Sequence, residues 1–244
     1  MPVPIKGFIE NSLIEWEGMI SSIIFLSSCN FRCSYCHSPD LVNPSEDIEA
    51  IPLETVKSYL KKNRAWVDGV VVSGGEPTLH SGLKELLREL KALGFKIKLD
   101  TNGTNPVLLE ELIRDGLLDC VAMDIKAPLR DKNYQEAAGG PCNVQDLRRS
   151  VKVIIESGLE HEFRTTVCPS FLGEEEIKDI AHTLRGAKRY VLQSFRPSNC
   201  LDSSMLEVTP YRPDKLRYFR EIAGAHVEDC RIRGEAEATN SKNH

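Results

Sequence analysis

Short apolar runs alternate with amphipathic stretches along the chain from residue 21 onward. The apolar runs predict strands in SSIIFLS, GVVVSG, KIKLDTN, CVAMDIK, EFRTTVC and RYVLQSF. Apolar residues recur at helical spacing in LETVKSYLKKN, GLKELLRELKALG, PVLLEELIRDG, VQDLRRSVKVIIESG, EEEIKDIAHTLRG and PDKLRYFREIAG. Four of these predicted helices end in a glycine that suits a helix C-terminus, namely Gly94, Gly116, Gly158 and Gly186.

This alternation also predicts the fold class. Strands that are apolar throughout imply a sheet covered on both faces, and intervening helices imply that the sheet is parallel. Six strand–helix units predict an α/β fold, a partial (βα)6 TIM-like barrel with outer helices. We expect one domain over residues 1–234, with its core at about residues 20–200 and a C-terminal helix and short extension to 234. The polar segment 235–244 predicts a flexible tail.

Charge and hydropathy exclude some classes of partner. The 31 basic and 36 acidic residues give a net charge of −5 without a basic stripe, so we expect no nucleic-acid ligand. The first residues contain no apolar segment of the signal-peptide type, and the chain has no run of about 18 apolar residues. We therefore expect a cytoplasmic protein that does not bind membranes.

The eight cysteines fall into two groups. In a reducing compartment, a dense group of cysteines indicates metal binding or catalysis, whereas scattered cysteines are usually small buried hydrophobic residues. The scattered ones, for which we expect this structural role, are Cys120, Cys142, Cys168, Cys200 and Cys230. The dense group is Cys29, Cys33 and Cys36, in the stretch SSCNFRCSYCHSP that directly follows the first predicted strand.

Polar residues also follow the later strands, where a parallel barrel carries its chemistry. The segments GGEPT, DTNGT and MDIKAP end the second, third and fourth predicted strands, and Arg164 and Gln193 lie on the fifth and sixth. Asp124 and Lys126 are two residues apart, so their side chains share one face of their strand. Buried charges are costly unless they meet a ligand or each other, and an internal ion pair is the alternative interpretation.

Three kinds of metal site are compatible with the cysteine loop. The run CSYCH matches the C-x-x-C-H pattern of c-type haem attachment, which usually accompanies export. A structural zinc site would use the three cysteines and His37, although adjacent Cys36 and His37 are poorly placed to share one tetrahedron. In an iron–sulfur cluster, three thiolates would leave one of four irons without a protein ligand and open to substrate.

Two motifs resemble those of one enzyme family. CNFRCSYC resembles the C-x-x-x-C-x-x-C signature of radical S-adenosylmethionine (SAM) enzymes, and GGEPT resembles their GGE motif. The resemblance covers about residues 20–200 and includes the partial barrel of the radical SAM type. It implies that Cys29, Cys33 and Cys36 ligate a [4Fe-4S] cluster and that SAM chelates the remaining iron.

The resemblance also implies roles for the residues at the strand ends. Gly74, Gly75 and Glu76 would lie along the methionine amino group, and Tyr35 would approach the adenine through its backbone. Lys126 would be catalytic, together with the three cysteines. Lys126 and Arg164 would also neutralise carboxylate charge. The remaining implied cofactor contacts are Pro77, Asp100, Thr101, Asn102, Asp124 and Gln193. The alternatives are structural: a strand-to-helix turn at GGEP, an Asx cap at Asp100 and Asn102, and an ion pair of Arg164 with an acidic neighbour.

Within this family, the compact chain with DTNGT and MDIKAP resembles the activating enzymes of glycyl radical proteins, most of all the activating protein of anaerobic ribonucleoside-triphosphate reductase. This implies an oxidoreductase that reductively cleaves SAM to a 5′-deoxyadenosyl radical and generates a glycyl radical on a partner protein. The implied electron donor is a flavodoxin or ferredoxin. The alternatives are a small-molecule radical SAM enzyme such as 7-carboxy-7-deazaguanine synthase, and a non-catalytic iron–sulfur or zinc module.

Overall fold

A single eight-stranded sheet forms the centre of the molecule. The computed structural model describes residues 3–43 and 48–234, so the predicted flexible tail lies outside the described residues. The strands are β1 Ile5–Ser12, β2 Ser21–Leu26, β3 Gly69–Gly74, β4 Lys96–Thr101, β5 Cys120–Asp124, β6 Glu160–Val167, β7 Arg189–Ser194 and β8 Asp229–Arg233. Their order in the sheet is their order in the chain, β1 pairs antiparallel with β2, and every other pair is parallel. The predicted α/β fold with a parallel sheet is confirmed.

The six predicted strands are β2 to β7, and the two edge strands were not predicted. In β1, the sequence IKGFIENS has a glycine near its start and ends in polar residues, and its outer half is exposed. In β8, the sequence DCRIR is half-buried and charged at alternate positions. Edge strands commonly carry charges and glycine because one side of the strand lacks a neighbour, so their apolar signal is weak.

Helices connect the strands on the outside of the sheet. They are α1 Pro39–Val42, α2 Leu53–Lys62, α3 Leu83–Ala92, α4 Pro106–Arg114, α5 Asp131–Ala138, α6 Val144–Glu156, α7 Glu174–Thr183 and α8 Pro213–Gly224. The six predicted helices are present, and the short helices α1 and α5 are additional. Gly94, Gly116, Gly158 and Gly186 all have a positive φ just after their helices, which confirms them as helix ends. No helix of the described part is long and apolar enough to cross a membrane.

The hairpin between β1 and β2 covers the end of the barrel where the strands begin. Trp16, on this connection, is buried, and a Cβ added to Gly69 would lie only 2.8 Å from its ring. Lys98, on β4, donates through Nζ to the carbonyl oxygen of Glu15 at 2.5 Å and to Oε1 of Glu162 at 3.0 Å. The ammonium of a fully buried lysine therefore joins the connecting segment to the interior of the barrel.

The pair of Lys98 and Glu162 is almost completely removed from water, with 2% and 6% of the side chains exposed. We expect Lys98→Met to destabilise the protein by about 3 kcal/mol, because it leaves a buried carboxylate without its nearest cation. Lys96→Met, on the exposed start of the same strand, is the matched control, with an expected change within about 0.5 kcal/mol. Urea unfolding measures both, and equal midpoints for the two variants would contradict the prediction.

Candidate active site

The cysteine loop connects β2 to α1 and packs into the protein core. Phe31, Cys33 and Tyr35 are buried, whereas Cys29 and Cys36 are half-buried. The loop is tightly turned, since the N–H of Cys36 donates to the carbonyl oxygen of Cys33 at 3.0 Å. Buried side chains on the loop, including one of the three thiols, therefore anchor it to the core.

A cavity of about 200 Å³ opens beside this loop, where β3 to β6 end. The structure brings most of the predicted site residues together around it, namely Cys29, Cys33, Tyr35, Cys36, Gly74, Gly75, Asp100, Thr101, Asn102, Asp124, Lys126 and Arg164. The cavity lining does not include Glu76, Pro77 or Gln193. The strand ends thus converge on the thiols, as the position of the polar residues in the sequence indicates.

Glu76 is fully buried and holds strand ends together with its side chain. Its Oε1 accepts hydrogen bonds from the backbone N–H and hydroxyl of Thr78, at 3.0 and 2.5 Å, and from the hydroxyl of Thr101 at 2.8 Å. Its Oε2 accepts from the backbone N–H of Asn102 at 2.6 Å. Burial raises the pKa of this carboxyl, against the opposing effect of these hydrogen bonds. Pro77 begins the short 3-10 helix Pro77–Leu79 that Glu76 caps.

The two glycines of the GGE segment allow two backbone segments to lie against each other. A Cβ on Gly74, whose φ is +127°, would stand 2.1 Å from the carbonyl oxygen of Leu26. A Cβ on Gly75 would stand 2.0 Å from the carbonyl oxygen of Ser28, the residue before the first cysteine. Side chains at these positions would therefore displace the start of the cysteine loop, a reason for glycine that the sequence did not reveal.

Asn102 connects the end of β4 to the cysteine loop. Its Nδ2 donates to Oδ1 of Asn30 at 2.8 Å and lies 4.0 Å from the sulfur of Cys29. Nδ2 of Asn30 in turn donates to the hydroxyl of Thr104 at 2.9 Å. The Asx-cap alternative is also present, because Oδ1 of Asn102 accepts from the backbone N–H of Thr104 at 3.1 Å. One side chain therefore both stabilises its own turn and contacts the loop.

Charged residues of three strands form a continuous chain along one side of the cavity. Arg164, on β6, donates through Nη1 to Oδ2 of Asp100 at 3.0 Å and through Nε to Oδ1 of Asp124 at 2.8 Å. Lys126 donates to Oδ2 of Asp124 at 3.0 Å. Burial opposes the charge on Asp124, but Arg164 and Lys126 outweigh it and lower the pKa of the carboxyl. The ion pairs considered as an alternative are thus present, and they line the cavity.

One carboxylate oxygen in this row of charged residues is left without a hydrogen-bond partner. Among the described residues, Oδ1 of Asp100 is buried and accepts no hydrogen bond, although Oδ2 of the same carboxylate receives two. Buried carboxylate oxygens without a donor are rare and costly. The cavity therefore fits a ligand that brings a donor, such as the amino group or ribose hydroxyls of SAM, to Asp100.

Three thiols on one loop fit the ligand chemistry of an iron–sulfur cluster. No three His, Cys, Asp or Glu side chains within the described ranges are grouped closely enough to hold one metal ion. Each thiolate of an iron–sulfur cluster binds a different iron, so the three sulfurs need not converge on one point. Burial raises the pKa of Cys33 to about 11, so a metal that bound this sulfur as a thiolate would displace a proton from it.

Several residues have positions that the sequence did not predict. Ser73 and Thr166 line the cavity, and the Ser73 hydroxyl donates to Oδ2 of Asp100 at 3.0 Å. His37 also lines it, with its Nε2 2.8 Å from the carbonyl oxygen of Arg196. Ser73 was detectable as the polar residue that follows the three valines of β3. Gln193 is half-buried on β7, outside the lining.

The scattered cysteines have intermediate or buried positions. Cys120 and Cys168 are buried, as expected for small hydrophobic residues, and the half-buried ones are Cys142, Cys200 and Cys230.

The hydrogen bonds to Glu76 predict a large effect of a minimal substitution. Glu76→Gln replaces one acceptor oxygen with an NH2 group, which would face either the Asn102 N–H or the donors from Thr78 and Thr101. We expect a loss of about 2 kcal/mol in unfolding free energy, because a buried donor loses its acceptor. Glu10→Gln, at an exposed position of β1, is the control. Denaturant unfolding of the two variants with indistinguishable midpoints would refute this role for Glu76.

Curated relatives are named as activating enzymes and as a cyclase. A protein of Methanocaldococcus jannaschii named as a glycyl-radical enzyme activating enzyme is 32% identical over 238 residues, covering 96% of this chain and 97% of the relative. A pyruvate formate-lyase-activating enzyme of Clostridium pasteurianum is 28% identical over 80% of this chain and 82% of its own. A GTP 3′,8-cyclase of Helicobacter pylori is 29% identical, but the match spans only 52% of that enzyme.

Solved structures share the fold at low sequence identity. SuiB of Streptococcus suis, in a structure bound to S-adenosylmethionine, superposes with a TM-score of 0.64 at 17% identity, covering 84% of this chain and about half, 48%, of that longer chain. The family profile described as Radical SAM superfamily matches residues 23–185, which include the cysteine loop and β3 to β6. This chain belongs to the radical SAM superfamily, whose cofactors are a [4Fe-4S] cluster and S-adenosylmethionine.

Proposed function

We propose that this radical SAM enzyme is an oxidoreductase that generates a glycyl radical on a partner protein. The observation that carries the proposal is the cavity that joins the three thiols to the ends of β3 to β6. Cys29, Cys33 and Cys36 hold the cluster in this proposal, and the strand ends hold SAM. When bound, the cluster supplies the electron that cleaves SAM into methionine and a 5′-deoxyadenosyl radical.

The protein's own residues bind and orient the cofactor. In this proposal, Oδ1 of Asp100, which has no partner, accepts a hydrogen bond from SAM. Lys126 and Arg164 bind the carboxylate of SAM. Both cations already have carboxylate partners, so they are held in place before the ligand arrives. Such fixed charges need little reorganisation when the ligand binds, which favours tight orientation of SAM.

The size of the cavity supports a macromolecular substrate. Its enclosed volume is only about 200 Å³, which leaves no room for a free substrate behind the cofactor. Bound cofactor would therefore take up the enclosed space, and the reacting hydrogen would come from a group that reaches in from outside. A glycine on a peptide loop has no side chain and suits such an approach.

The names of two relatives support a glycyl radical protein as the partner. The MDIKAP and DTNGT segments support anaerobic ribonucleoside-triphosphate reductase among such proteins. We propose the large subunit of anaerobic ribonucleoside-triphosphate reductase, with a cytoplasmic flavodoxin or ferredoxin as electron donor. A small-molecule reaction is the second candidate, and the similarity to GTP 3′,8-cyclase favours it. It predicts turnover of a free nucleotide without any protein partner.

The first test concerns SAM cleavage. Anaerobically reconstituted wild-type protein, given SAM and dithionite, should form 5′-deoxyadenosine, and Cys29→Ala should lower its rate at least about 100-fold because one cluster ligand is lost. Cys230→Ala, which removes a half-buried thiol on β8 far along the sheet, is the matched control and should retain the wild-type rate. Equal rates for the two cysteine variants would contradict the proposed ligands.

The second test concerns the partner. Wild-type enzyme, SAM and reductant are mixed with the reductase large subunit, and electron paramagnetic resonance is recorded for the doublet of a glycyl radical. We expect the doublet with the native subunit and none with a variant whose C-terminal radical glycine is alanine. Formation of 5′-deoxyadenosine without a doublet would reject this partner, whereas consumption of added GTP would establish the small-molecule candidate.

A further inference from the structure

Helix α5 also contacts the cysteine loop. The backbone N–H of Arg32, between the first two cysteines, donates to the carbonyl oxygen of Ala138 at 2.8 Å. Ala138 is the last residue of α5 and is fully buried. The C-terminal turn of a helix that the sequence did not predict thus accepts a hydrogen bond from the loop that carries the cysteines.

The residue after Ala138 allows this contact through its missing side chain. A Cβ added to Gly139 would lie 2.0 Å from the carbonyl oxygen of Arg32 and 2.4 Å from its carbonyl carbon. Both atoms are backbone, so no side-chain rotation could relieve the overlap. Gly139 also has a φ of +69°, as helix-ending glycines often do.

Other helix ends distinguish the need for a positive φ from the need for a missing Cβ. Gly116 has nearly the same φ, +68°, but a Cβ there would meet nothing within 4 Å. Gly158, with a φ of +74°, is equally open. All three positions require a left-handed backbone, and among them only Gly139 also requires that the Cβ be absent. The additional requirement at Gly139 is therefore contact with the cysteine loop and not the geometry of a helix end.

The same helix contacts the end of β5. Tyr134 is fully buried, and its ring lies 6.2 Å from that of Phe31 on the cysteine loop. Its hydroxyl accepts from the backbone N–H of Lys126 at 3.3 Å and donates to the carbonyl oxygen of Asp124 at 3.4 Å. One short helix therefore touches both the loop that carries the thiols and the strand that carries the charges of the cavity.

We propose that α5 is a positioning element that fixes the cysteine loop relative to the Asp124–Lys126 end of β5, and that Gly139 is the residue on which its contact with the loop depends. Without the close approach at Gly139, the loop would lose the Arg32–Ala138 hydrogen bond. The three thiols would then no longer be held in fixed positions relative to the end of β5. The inference rests on cluster binding by the three cysteines and is independent of the identity of the substrate.

The test compares Gly139→Ala, Gly139→Asn and Gly116→Ala. Asparagine tolerates a positive φ but carries a Cβ, so Gly139→Asn keeps the overlap while reducing the backbone strain. In the apo proteins, we expect amide exchange at Arg32 to be at least about tenfold faster in both Gly139 variants than in Gly116→Ala, because local opening exposes this N–H. After anaerobic reconstitution, both should retain less than about half of the iron per chain that Gly116→Ala retains.

Two results would overturn the proposal. If Gly139→Asn shows the exchange and iron content of wild type, backbone strain and not the loop contact explains Gly139. If Gly139→Ala matches Gly116→Ala in both measurements, the contact has no positioning role. Circular dichroism checks that each variant is folded before either comparison is made.

A second variant decides the matter if the Gly139 variants do not fold. Tyr134→Phe removes the hydroxyl that contacts Lys126 and Asp124 but keeps the ring beside Phe31. We expect it to bind iron like wild type, while addition of SAM changes the electron paramagnetic resonance spectrum of its reduced cluster by less than about half of the wild-type change. A wild-type spectral response would reject coupling through α5.

Discussion

The guanidinium of Arg164 is the group on which the geometry of the site depends. It is buried inside the barrel and bonds the carboxylates of Asp100 on β4 and Asp124 on β5, while its own strand is β6. An unpaired charge at this depth would be strongly destabilising, so the three strands must keep the register that brings these groups together. Asp124 and Arg164 are direct partners in the parallel ladder. The sheet register therefore sets the positions of the charges that line the cavity.

The cysteine loop is held by a different kind of constraint, the close approach of backbone to backbone. Gly75 lies against the carbonyl of Ser28 before the first cysteine, and Gly139 lies against that of Arg32 within the loop. Such contacts leave less freedom than side-chain packing, because a carbonyl group cannot choose another rotamer. Glycine at both positions is thus a requirement of the loop's path, whatever ligand the loop later binds.

The sequence predicts the central strands of the sheet better than the edge strands. It also predicts which strand ends form the site better than it predicts where individual side chains point. The β3 sequence GVVVSG is buried over its first four residues, so its apolar signal is unambiguous. β8 has one neighbour and a half-buried surface, and its alternating charges hid it. Glu76 was predicted in the correct segment, but its carboxylate turns away to bind Thr101 and Asn102, partners that are 25 and 26 residues distant. Contacts across such separations depend on the assembled sheet, which no local pattern contains.

The two constraints meet at the cysteine loop, which is clamped between β4 and α5. Asn30 on the loop is bonded to Asn102 at the end of β4, and Arg32, two residues later, is bonded to Ala138 at the end of α5. Because β4 also carries Asp100, any movement of the loop would strain the same strand that presents charge to the cavity. In the proposed function the cluster and SAM react with each other, so hydrogen bonds from the loop to β4 and α5 would fix the thiols relative to the strand ends before either ligand binds.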